Sequence, residues 1–121
     1  SLPQLGRPLA EYLDGTPSPE LDVDRKTIHR FGRGMDFVRA DSPRTACFGS
    51  SYGRAAKRAG SYLDEGDRVR RFSPKEMLRL LHFPDDFEFP ASLPLRTRYK
   101  LAGNSVNVAV LRQLVCWVLA P

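Results

Sequence analysis

The clearest alternation of apolar and polar positions falls in residues 73–118. Met77, Leu80 and Leu81 recur at helical spacing and predict one buried face. Ser73 supplies an N-cap hydroxyl, Pro74 suits the first helical position, and Glu76 three residues on completes a capping box. His82-Phe83-Pro84 ends this helix, because the residue before a proline is pushed out of the α region. A second run predicts another amphipathic helix: Val106, Val110, Leu114, Trp117 and Val118, with Leu111 and Val115 beside it. Between the two, residues 95–101 form a short helix. Gly103 reads as its left-handed C-cap, and Asn104 and Ser105 as caps of the helix that follows. A helix start with small polar side chains is a ready site for a carboxylate or phosphate. The same pattern also fits a plain helical hairpin.

Upstream the periodicity is weaker. Residues 8–13 predict one or two helical turns, and Gly15-Thr16-Pro17-Ser18-Pro19 a loop. Asp24 caps a short helix over 25–31, which Gly32 and Gly34 break. Residues 45–48 and 60–63 are short strand candidates, the latter followed by the acidic turn Asp64-Glu65-Gly66-Asp67. Residues 85–97 read as a linker whose Phe87 and Phe89 tuck into the core. The expected class is therefore α+β, with short strands in the middle and helices at the C-terminal end.

Charge changes this picture. The 121 residues carry a net +5 with a pI near 9.6. Residues 25–71 hold 12 Lys or Arg against 5 Asp or Glu, while the rest is slightly acidic. A basic block of this kind points to an anionic partner, most often nucleic acid, although a solvated basic surface has the same composition. Arg54, Lys57 and Arg58, interleaved with Phe48 and Tyr52, combine charge for phosphates with flat faces for unstacked bases. The bland reading of Phe48 is a core residue. The two cysteines, Cys47 and Cys116, make no disulfide framework and suit a reducing compartment. Cys116 sits in an apolar helix and is expected in the core. His29 and His82 are not spaced with the cysteines as zinc ligands, so no metal site is expected. No apolar run is long enough to span a bilayer.

Two stretches together resemble motifs IX and X of the cytosine-5 methyltransferases: residues 71–84, and Tyr99-Lys100-Leu101-Ala102-Gly103-Asn104-Ser105-Val106-Asn107-Val108. The second is closest to the tRNA-modifying branch. Cys47-Phe48, Tyr52-Gly53 and Gly60-Ser61, preceded by Met35-Asp36 and Asp41-Ser42, are similar to that branch's recognition-region signature. Gly49 and Ser50 depart from it, standing where the family has Thr and usually Lys. The resemblance covers about residues 7–119.

It implies a division into a lead-in segment from the catalytic domain (1–24), a target-recognition region (25–71) and a motif IX and X helical segment (72–121). The helices would complete a Rossmann-like domain that uses S-adenosylmethionine. Asn104, Ser105 and Val106 would lie against the methionine end of that cofactor. Phe48, Tyr52, Arg54, Lys57 and Arg58 would face tRNA, and Glu76 and Arg79 would hold the recognition region in place. Cys47 is either a signature residue near the flipped base or a small buried strand residue. The family's thiol lies in a Pro-Cys dipeptide and its acid in a Glu-Asn-Val triplet, and neither is in this sequence. The resemblance therefore implies no catalytic residue here, inactivity of the chain by itself, and a partner polypeptide carrying those motifs. It also implies a cytoplasmic location, extended to the nucleus in a eukaryote. Two other readings stand beside it: part of a DNA cytosine-5 methyltransferase, and a non-catalytic RNA-binding module.

Overall fold

The computed structural model describes residues 7–15, 18–54 and 59–120. Three short strands form one sheet in the order β1 (Asp36–Val38), β2 (Ser61–Asp64), β3 (Val69–Arg71). β1 runs parallel to β2, with Phe37 opposite Tyr62, and β3 returns antiparallel, with Leu63 opposite Arg70. Helix α1 (Arg25–Phe31) precedes the sheet, and α2 (Pro74–Leu80), α3 (Leu95–Gly103) and α4 (Val108–Leu119) follow it. The α+β class expected from the sequence is what the chain adopts.

Local signals set several of these elements. Asp24 accepts from the Thr27 N–H at 2.7 Å and starts α1 at the expected residue. Ser73 and Glu76 close the capping box of α2 reciprocally, at 3.0 and 2.7 Å. The helix does not end through Pro84, however. Its last turn is closed by a Schellman arrangement, in which Phe83 N–H reaches Leu78 O and His82 N–H reaches Arg79 O. His82 takes the left-handed position there, at φ 61°.

One core runs through all three sequence segments. Leu9 and Leu21 from the first, Tyr52, Tyr62 and Leu63 from the second, and Phe72, Met77 and Tyr99 from the third pack together. Tyr52 is central: its hydroxyl donates to Ser61 O and accepts from Phe72 N–H. Gly60 is required beside it. Its φ is +146°, and a Cβ there would lie 2.5 Å from Phe48 and 2.8 Å from Tyr52.

Several expectations are corrected. Residues 45–48 form no strand, because Ala46 N–H is taken by Ser61 Oγ at 2.7 Å instead of by a ladder partner. Gly103 is not left-handed, since it does not appear among the positive-φ glycines, Gly60 and Gly66. Asn104 and Ser105 do not cap α4; Asn107 does, accepting from Val110 N–H at 3.1 Å. Cys116 is exposed and not core, and Phe87 is exposed while only Phe89 packs on the core.

A candidate nucleic-acid face and cofactor wall

The three-stranded sheet and α2 are joined by a buried ion pair. Arg70 Nη1 and Nη2 donate to the two Glu76 carboxylate oxygens at 2.8 and 3.0 Å, and Nε donates to Glu65 at 3.0 Å. Both Arg70 and Glu76 are fully enclosed. Burial alone would lower the guanidinium's proton affinity, but the hydrogen bonds and charge of Glu76 and Glu65 outweigh it and raise its pKa. Glu76 also accepts from Ser73 N–H and from Asp14 N–H at 2.8 Å. Arg79 pairs with Asp14 at 2.6 Å. Glu76 and Arg79 therefore tie the segment at Tyr12 and Asp14, the sheet and α2 to one another. Arg70 belongs to this interior network and not to a surface basic face.

The other basic residues divide. Arg68 is held by Asp22 and Glu65. Arg54 is exposed in the turn over residues 50–54, where it lines a cleft of about 370 Å³ with Ser50, Gly53, Arg96, Thr97 and Lys100. Arg96 and Lys100 come from α3 and were not singled out in the sequence. A signal was available, since they stand four residues apart on one helical face. Lys57 and Arg58 lie outside the described residues. Phe48 is half-buried, packed edge-on against Tyr52 and Phe72 with centroids 4.9 and 5.5 Å away. Tyr52 is corrected outright. At 0 % exposure it has no face for a base, and burial raises its hydroxyl pKa well above the ordinary value.

The expected cofactor corner lies between α3 and α4. Gly103 is needed there for space: a Cβ would stand 2.3 Å from Gly49 O. The corner thereby rests directly on the backbone at Gly49 and Ser50. Asn104 N–H and Ser105 N–H complete the last turn of α3, and Ser105 Oγ donates to Leu101 O at 2.8 Å. These bonds commit both residues to the outgoing helix, which is why α4 waits for Asn107. Val108 N–H then bonds Leu81 O at 2.8 Å, and the Asn107 amide meets His82 Nδ1 at 3.1 Å. Asn104 and Val106 are left exposed beside this anchored joint.

Beyond the corner, α4 carries an apolar flank with no cover among the described residues. Val110, Leu111, Leu114 and Val115 are exposed, and Trp117, Val118 and Leu119 reach 67, 82 and 76 %. Contiguous exposed apolar surface of this kind marks an interaction face. Among the described residues no group of His, Cys, Asp and Glu is placed to hold a metal, and no helix is long and apolar enough to cross a membrane. Cys47 is exposed in the loop after Ala46, so it is not a buried strand residue.

Comparison with known proteins decides the family. The profile described as C-5 cytosine-specific DNA methylase matches residues 15–116. The chain belongs to this family. The tRNA (cytosine(38)-C(5))-methyltransferase of Bos taurus is 32 % identical over 79 % of this chain and 33 % of its own length. The DNA (cytosine-5)-methyltransferase of Dictyostelium discoideum is also 32 % identical, over 93 % of this chain and 35 % of its own. The crystal structure of the S. pombe Dnmt2 methyltransferase superposes with a TM-score of 0.89 at 26 % identity, covering 95 % of this chain and 42 % of that one. The resemblance to cytosine-5 methyltransferases of the tRNA-modifying branch is thus borne out. The chain spans about a third of the length of the curated relatives it matches.

Proposed function

We propose that this chain is the target-recognition and C-terminal portion of an S-adenosylmethionine-dependent tRNA cytosine-5 methyltransferase. It binds tRNA through the Arg54 face and closes one wall of the cofactor pocket with the corner over residues 104–106. The observation that carries this reading is the bare apolar flank of α4 running on from that corner. A partner bearing the Pro-Cys and Glu-Asn-Val motifs would cover the flank and supply the reacting groups absent from this sequence.

The corner's chemistry fits the methionine end of the cofactor. Asn104 offers an exposed amide for the polar amino-acid group, and Val106 offers apolar surface beside it. When bound, S-adenosylmethionine supplies the methyl group. This chain's own part is positional. Gly103 holds the corner against the recognition loop, and Asn107 and Val108 fasten it to the end of α2. The division into lead-in segment, recognition region and helical segment belongs to the same proposal.

The test is reconstitution. Mixing the chain with a polypeptide carrying the two motifs should give methyl transfer to tRNA that neither component gives alone. Tight association without transfer would sink the reading. The name of the Dictyostelium relative favours a second substrate, DNA. Running the same assay on duplex DNA separates the two, and equal or better transfer to DNA would replace tRNA. Salt-sensitive tRNA binding without any association with such a partner would leave only a non-catalytic RNA-binding module.

A further inference from the structure

Arg71 stands apart from its neighbour Arg70. Every guanidinium nitrogen of Arg70 is engaged. Arg71 has no ion pair among the described residues, and its Nε is buried without a hydrogen-bond partner. A buried donor left unmade is costly unless something fills it. Arg71 lines a cleft of about 520 Å³ with Arg54 and Arg96, and with Glu20 as the one carboxylate among the lining residues. The floor is set by Gly53 against the Tyr99 ring, where a Cβ on Gly53 would meet that ring at 2.8 Å. This cleft adjoins the 370 Å³ cleft, with Gly53, Arg54 and Arg96 lining both. Lys100 lies one helical turn beyond Arg96, about 6 Å along the axis.

We propose that Arg54, Arg71 and Arg96 clamp a single phosphodiester of the substrate RNA between the recognition region and α3. Lys100 takes the next phosphate. The proposal rests on the RNA reading above and adds the site. Three guanidinium forks with no carboxylate ion pair among the described residues match phosphate oxygens, which accept from such forks in pairs. A nucleobase fits less well: the Tyr99 ring is buried, which leaves Leu95 as the apolar lining. The bridged ligand joins β3 and the turn over 50–54 on one side to α3 on the other. Binding substrate therefore also fixes the recognition region relative to the cofactor corner at the end of α3.

The experiment is tRNA binding by the full chain, measured by fluorescence anisotropy across a salt series. Arg71→Gln and Arg96→Gln should each weaken binding about tenfold, and each should reduce the salt slope by less than one phosphate's share, because the remaining arginines still neutralise the shared phosphate. Because one phosphate is shared, the double variant should lose less than the product of the two single losses. Glu20→Gln removes a repelling carboxylate and should tighten binding, a gain that misfolding cannot imitate. Multiplying losses, or wild-type affinity in both arginine variants, would overturn the clamp while leaving the RNA reading intact. Absence of tRNA binding by the unaltered chain at low salt would overturn both.

Discussion

Arg70 and Glu76 show what enclosure does to a charged residue. Each is costly to bury alone, and each is tolerated because the other satisfies it bidentately. Glu76→Ala would leave the guanidinium enclosed opposite an empty space, and the stability lost should be about 3–5 kcal/mol. Urea unfolding checks this: the midpoint should fall with little change in slope. An unchanged midpoint would show that the pair contributes nothing. Half of Glu76's role was legible in the sequence, because a capping box is a three-residue rule. The other half was not, since its partner reads as one more cation in a basic run until β3 turns it inward. Tyr52 was misread for the same reason. An aromatic residue among arginines resembles a stacking platform, and only packing reveals that its hydroxyl bridges Ser61 and Phe72.

At the level of elements, helices with local punctuation were readable and the sheet was only partly so. α1 and α2 begin where Asp24 and Ser73 predict. β1 gave no signal, because three residues pairing in parallel with a segment some 25 positions later leave no local pattern. The α3–α4 joint was located correctly, yet its parts were assigned wrongly. Gly103 serves close approach instead of a positive φ, and the cap fell to the second asparagine. Gly103→Ala should therefore push the Gly49 and Ser50 backbone away at a cost of about 1–3 kcal/mol. Gly15→Ala, which meets nothing within 4 Å, serves as the control. NMR amide shifts concentrated at Gly49 and Ser50 would locate the strain; shifts confined to α3 would contradict it.

Across the whole molecule, the three sequence segments share one core, and the tyrosines that the later two contribute are expected to make it sensitive to alkali. Burial raises the hydroxyl pKa values of Tyr52 and Tyr99 above the ordinary 10.0. A raised value means the folded state holds its protons after the unfolded chain has released them. Stability is then fully present below pH 10 and is lost as pH rises beyond it. Urea melts between pH 8 and 11, with tyrosinate absorbance followed in parallel, should show a level plateau and then a decline. A flat profile to pH 11 would exclude the two hydroxyls as the cause. The Arg70–Glu76 and Asp14–Arg79 links carry a different consequence for movement. They tie the sheet, the segment at Asp14 and α2 together, so these three are expected to move as one block. Movement of α4 relative to that block is then expected to turn about the short joint from Gly103 to Val108, with the two hydrogen bonds to the end of α2 as its latch.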